Sequence, residues 1–292
     1  MRSSNPVFSR RGFSRDNGYA GFNTAPQAGY AQGNPYAQGN PYAQNPYATN
    51  PYAQQDQQLG APPQAPVATG RMTMDDVVMR SAMTLGTVAV GAVLAWALLP
   101  VSAGSYGLAI GSALVAMVLA LVQSFKRTPV PALILGYAAF EGVFLGVISE
   151  MYNSQWSGAP FQAVLGTMAV SAATLLVYKA GWIRVTARYA RIGLAIAMAF
   201  VLVMAVNLLL VAFGVASDGG LRSFGPLGAA VGILAVIIGA FFLTLDFKQI
   251  EDGIAYGAPR QEAWLAAFGL TMTLVWIYVE MLRLAAIFSS ND

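Results

Sequence analysis

Seven long apolar runs, separated by short polar connections, constrain this chain more than any other feature. They fall at 78–99, 106–125, 130–152, 161–178, 192–213, 224–246 and 263–288. About 20 helical residues cross the hydrocarbon core of a bilayer, so uncharged runs of this length read as membrane spans. Lipid offers backbone N–H and C=O groups no partner, which makes each span a helix. The expected fold class is therefore an all-α membrane protein, a seven-transmembrane-helix bundle. The composition agrees: 56% of residues are hydrophobic and 10% charged, against about 25% charged in a soluble domain.

The distribution of Lys and Arg predicts the orientation. Arg71 and Arg80 flank the first run, Lys126 and Arg127 fill the second connection, Lys179, Arg184 and Arg188 the fourth, and Lys248 and Arg260 the sixth. The first, third and fifth connections hold only Arg222. The excess of cations marks the cytoplasmic side, so the N-terminus is expected in the cytoplasm and the C-terminus outside.

Residues 1–70 belong to another compositional class, and residues 71–292 form the membrane domain. The segment "GNPYAQGNPYAQNPYATNPYAQQ" repeats Asn-Pro-Tyr-Ala from Asn34, Asn40, Asn45 and Asn50. Each proline lacks a backbone donor and disfavours helix at the preceding residue. Too little apolar surface is present to offset the entropy of ordering, so the expectation is a disordered tail. It serves either as an entropic tether or as a tyrosine-bearing interaction segment. The basic N-terminal stretch "MRSSNPVFSRRGFSRD" lacks an apolar core and does not read as a secretory signal.

Ionisable groups within spans are costly and are functional hypotheses by default. Glu141, in "YAAFEGVFLG", lies near mid-span with no Lys or Arg within a turn. It reads either as an acidic group along an ion pathway or as a neutral acid hydrogen-bonded to a neighbouring helix. Glu150 lies at the end of the same run, where water is the expected partner. Asp246, in "GAFFLTLDFKQIEDGIAYG", closes the sixth run and has Lys248, Glu251 and Asp252 just beyond it. It reads as a solvated helix end or as a titratable group on a membrane pathway. Glu280 and Arg283, three residues apart in "WIYVEMLRLAAIF", share a helix face and can neutralise one another. Asn207 reads as an interhelix hydrogen-bonding group. The spacings Gly107/Gly111, Gly142/Gly146 and Gly228/Gly232 suggest close helix approach.

The "LDFKQIEDG" that closes the sixth run, with Ile250 one turn after Asp246, and the final "EMLRLAAIFSSND" carry a resemblance. Over residues 71–292 the chain resembles the transmembrane Bax inhibitor motif family, most closely its bacterial branch, and the tail-bearing form is similar to actinobacterial members. The resemblance implies a last helix surrounded by the other six and, in some members, a pH-sensitive calcium leak. There a pair of aspartates, one ending the sixth helix and one in the seventh, forms a hydrogen-bonded sensor. Asp246 stands at the first position of that pair. An ungapped alignment of the C-terminal ends puts Thr273 at the second. Arg283 matches the family's last-helix arginine, whose glutamate partner on the second helix has no counterpart here, leaving Glu280 or Glu141 to take that part.

Three functions follow as expectations: a calcium leak gated by protonation of Asp246 and Glu141, a non-conducting regulator that binds other membrane proteins, and an intramembrane hydrolase. The last ranks lowest, because the chain has no His or Cys and no G-x-S-x-G elbow. No enzymatic activity and no cofactor are expected. The expected partners are the lipid bilayer, calcium ions and other membrane proteins, with no nucleic acid, in a multi-pass protein of the bacterial cell membrane.

Overall fold

A computed structural model of the protein describes residues 70–217 and 219–290. The expected tail lies outside the described residues, apart from Gly70. Among the described residues the chain forms seven long α-helices: α1 (Met74–Leu98), α2 (Ala103–Phe125), α3 (Pro131–Gln155), α4 (Ala159–Lys179), α5 (Ala187–Ala212), α6 (Pro226–Ala255) and α7 (Glu262–Ser289). All seven are long and apolar enough to cross a membrane. A 3₁₀ turn at Gly220–Arg222 interrupts the α5–α6 connection.

Local chemistry explains where the helices start. Thr73 caps α1 in a reciprocal box with Asp76, each side chain meeting the other's backbone N–H, so two otherwise orphaned donors are satisfied. Ser102 and Thr186 cap α2 and α5 in the same one-sided way, accepting from the amides of Ser105 and Tyr189. Pro131, Pro160 and Pro226 stand in the first turns of α3, α4 and α6, where the missing N–H costs nothing. Val130 has no capping side chain of its own. The buried Gln123 supplies the link instead, its Oε1 accepting from the Val130 amide at 2.9 Å.

The largest difference from the sequence expectation is α6, which continues nine residues beyond Asp246. The charges that suggested an end are satisfied along the helix itself. Lys248 Nζ lies 2.9 Å from Asp252 and 3.5 Å from Glu251, at spacings that helical geometry favours. The Tyr178 hydroxyl of α4 also donates to Glu251 at 2.6 Å.

Small residues are prominent between the helices, beside larger ones such as Ile134, Leu243, Ile277 and Leu282. Ala116, Ala138, Ala163, Ala235, Ala267 and Ala286 are buried, whereas Leu98, Phe125, Leu208 and Phe213 are exposed. Lipid is as apolar as leucine, so large apolar side chains also face it, and small residues that admit close backbones are enriched between membrane helices. Gly142 and Gly146 of α3 behave as expected. A Cβ on Gly142 would overlap the Val88 carbonyl of α1, and one on Gly146 would meet Ala95 Cβ at 2.8 Å. Gly107 and Gly111 do not: a Cβ at either meets nothing within 4 Å, so this pair marks no close helix approach among the described residues. Gly232 faces Arg283 and Leu284 of α7, while Gly228 packs on the loop carbonyl of Ser223.

The backbone of the last helix packs against those of α1, α3, α4 and α6. The other two helices reach it with side chains, Ala116 and Ala120 of α2 clustering with Phe268 and Phe200 of α5 with Trp276, in keeping with the surrounded last helix that the resemblance implied. Helices α2 and α5 lie one layer out because their backbones pack on α3 and α6. Side chains bridge the layer, as where the Phe200 ring of α5 stands 6.2 Å from Trp276 of α7. At the end where α1 begins, residues 70–73 pair with the α6–α7 connection. Met72 N donates to Ala258 O, and Arg260 N to Gly70 O, both at 2.8 Å. Arg260 Nε then reaches Asp76 Oδ1 at 2.6 Å, Arg80 Nη1 donates to the Arg260 carbonyl, and the Arg80 guanidinium lies over the Trp264 ring.

Candidate functional site

Antiparallel packing of α6 on α7 places Asp246 and Thr273 side by side. The Thr273 hydroxyl donates to Asp246 Oδ2 at 2.7 Å. One turn earlier on α7, Gly269 offers only backbone: a Cβ there would lie 3.3 Å from Asp246 Oδ1. The carboxylate thus occupies a niche whose floor is a glycine and whose single described hydrogen-bond donor is a threonine. Among the described residues no cation pairs with Asp246, because Lys248 is turned to Asp252 and Glu251. The solvated-helix-end reading is therefore corrected. Asp246 lies inside a continuous helix and against its neighbour.

Glu280 stands seven residues beyond Thr273, about 10 Å further along the helix at 1.5 Å per residue, and has its own partners. Arg283 Nε donates to Glu280 Oε2 at 3.3 Å, and Nη2 lies 3.2 Å from the same oxygen. The pairing drawn from their spacing is present, and both residues are buried. A third member was not foreseen: Arg222, whose Nη1 and Nη2 both donate to Glu280 Oε1 at 2.9 Å. In the sequence Arg222 was only the one cation on the side otherwise without them. That anomaly was the signal that could have found it.

Asn207 and two glycines explain how a loop residue reaches the bundle interior. Gly219 and Gly220 have φ of 82° and 60°, values that side chains with a Cβ rarely adopt. The buried Asn207 clamps the turn, its Nδ2 donating to Gly219 O at 3.1 Å and its Oδ1 accepting from Leu221 N at 2.7 Å. Its partner is therefore the loop that carries Arg222, not a neighbouring helix as expected.

Glu141 is half-buried on α3, one residue from the α1 crossing at Gly142. Among the described residues no hydrogen bond or ion pair reaches its carboxylate, so the reading of an acid hydrogen-bonded to a neighbouring helix has no partner here. The structure does not join it to Asp246 or to the Glu280 cluster. Glu150 also departs from expectation. Because α3 runs on to Gln155, Glu150 is half-buried and its Oε2 is enclosed with no hydrogen-bond partner among the described residues.

Two separate polar stations thus stand along α7: a lone carboxylate held by a hydroxyl, and a glutamate between two arginines. The sequence matches the Bax inhibitor 1 like family over residues 5–290. The chain belongs to that family. The match also covers the whole Asn-Pro-Tyr-Ala segment, on the N-terminal side of the 71–292 expected from the motifs. A comparison with curated proteins finds no match. Among the described residues no three His, Cys, Asp or Glu side chains gather as a metal site.

Proposed function

We propose that this Bax inhibitor family membrane protein is a calcium leak pathway, with Asp246 and Glu141 as the groups whose protonation gates it. The observation that carries the proposal is the Asp246 niche: a carboxylate inside a membrane helix, hydrogen-bonded to Thr273, with no cation partner among the described residues. Groups of this kind are expensive to keep in a span and mark ion or proton routes. A leak needs sites weak enough to release the ion, and one carboxylate with one hydroxyl fits passage better than capture. In this reading Thr273 takes the place of the second acid, so Asp246 titrates without a like-charged neighbour. The reading makes the protein a non-enzymatic, multi-pass component of a bacterial cell membrane, with the N-terminus in the cytoplasm as the Lys and Arg positions favour.

Calcium flux into liposomes that hold the purified full-length protein, measured across pH, tests the reading. Asp246→Asn mimics the protonated carboxyl and is expected to hold flux at its low-pH level at every pH. Glu141→Gln is expected to shift or abolish the pH response at least as strongly, and Thr273→Asp to move the response towards neutral pH. Absence of flux from the wild-type protein would discard the leak in favour of a non-conducting regulator that binds other membrane proteins. A reporter fused at Asp292 is expected to read as extracytoplasmic. A cytoplasmic signal there would overturn the proposed orientation.

A further inference from the structure

The arginine cluster around Glu280 carries one more positive than negative charge, and its hydrogen bonding is incomplete. Glu280 Oε1 takes both terminal nitrogens of Arg222, and Oε2 takes the Nε edge of Arg283. Arg283 is only 4% exposed, yet its Nη1 and Nη2 have no hydrogen-bond partner among the described residues. Nη2 lies near Glu280 Oε2 in distance but out of line for a hydrogen bond. The Nη1/Nη2 end of the guanidinium fork therefore makes no hydrogen bond among the described residues, Nη2 meeting Glu280 only as an ion pair. Buried donors left unmade are costly, charged ones most of all.

We propose that this cluster is a binding site for a phosphate-type oxyanion, held by the Nη1/Nη2 end of Arg283 with Arg222 beside it. The charge matches, since one bound monoanion neutralises two arginines and one glutamate. The shape matches too, because a guanidinium fork pairs with two oxygens of a phosphate in a way that a lysine or a neutral donor does not. The cluster borders the surface at Arg222, whose side chain is 33% exposed on the α5–α6 connection. Aromatic residues stand at the same end of the bundle, with Trp156 stacked on Phe224 at 4.9 Å. Such residues favour headgroup depth, where lipid phosphates lie. On the α6 side the guanidinium rests against Gly232, where a Cβ would come within 2.9 Å of Nη2. Tyr152 of α3 is the other titratable group that senses the cluster. The oxyanion comes either from a lipid headgroup or from free phosphate, and the proposal is independent of the leak reading.

The test uses the full-length protein in an uncharged detergent, titrated with dihexanoylphosphatidylglycerol, with inorganic phosphate, and with dihexanoylglycerol as the uncharged control. Binding is read by calorimetry and by the thermal unfolding midpoint. Saturable binding of a phosphate probe is expected, with Kd raised at least about tenfold by Arg283→Lys, which keeps the charge and removes the fork. Arg222→Gln removes the surplus charge and is expected to weaken binding similarly, and it decides the question if Arg283→Lys does not fold. Binding of both phosphate probes assigns a free-oxyanion site, and binding of the lipid alone assigns a headgroup site. The proposal is overturned if neither probe binds, if dihexanoylglycerol binds as well as the phospholipid, or if the variants that fold bind as tightly as wild type.

Discussion

Replacing Gly142 by Ala adds one methyl group where α3 crosses α1 backbone to backbone. Its Cβ would overlap the Val88 carbonyl oxygen and stand 3.1 Å from Gly91 Cα. Both obstacles are backbone, so no side chain can swing aside and α1 must move away from α3. Overpacking of this kind costs about 1–3 kcal/mol, against which Ala recovers up to about 1 kcal/mol of helix propensity. With a net loss of about 1 kcal/mol, the unfolding midpoint in detergent should fall by about 2–4 °C, on the scaling for a chain of this size. Gly107→Ala is the matched control. A Cβ there meets nothing within 4 Å, so only the propensity gain applies, and the midpoint should hold or rise by about 2–4 °C. Intrinsic tryptophan fluorescence during heating reads both. Equal midpoints for Gly142→Ala and Gly107→Ala would refute the claim that close α1–α3 approach, rather than glycine content as such, stabilises the bundle.

Arg260→Gln should release the pairing between residues 70–73 and the α6–α7 connection. Hydrogen exchange would report it as loss of protection at the Met72 and Arg260 amides, which donate to Ala258 and Gly70, while protection within α3 stays unchanged. Unaltered exchange at both amides would show that the backbone pairing stands without the ion pair to Asp76. Asn207→Leu leaves the Gly219 carbonyl and the Leu221 amide without their partner, at a cost of about 1–3 kcal/mol. It should also free the turn that carries Arg222, read as faster exchange at Leu221, and no change there would remove Asn207 from the support of the cluster.

Much of the candidate site was legible in the residues, and the rest was not, for a consistent physical reason. Asp246, Glu141, Glu280 and Arg283 declare themselves because an ionisable group within an apolar run has no cheap explanation. The i,i+3 spacing of Glu280 and Arg283 is a helical property, so their pairing follows from local geometry. Arg222 stood out only as the one cation on its side, and its partner was not legible because it lies 58 residues from Glu280. Asp246 was misread as one possible helix end for the opposite reason. Lys248, Glu251 and Asp252 look like water-facing residues in one dimension, and only the helical arrangement shows them satisfying one another.

The same division runs through the whole protein. Sequence alone determined that the chain is seven membrane helices, because twenty or so apolar residues in lipid have one way to satisfy their backbone. The apolar runs by themselves set the starts of α1 and α5 four and five residues late, at 78 and 192 against Met74 and Ala187, because the capping threonines lie outside the apolar stretch. Tertiary structure decided which glycines are contacts, since Gly142/Gly146 and Gly107/Gly111 share one spacing and differ only in which face meets a neighbour. It realised the pairing of Asp246 with Thr273 that the ungapped alignment implied, because the length of α6 past Asp246 sets the register of the hairpin with α7. Periodicity along a chain is a local property. Register between helices belongs to the pair.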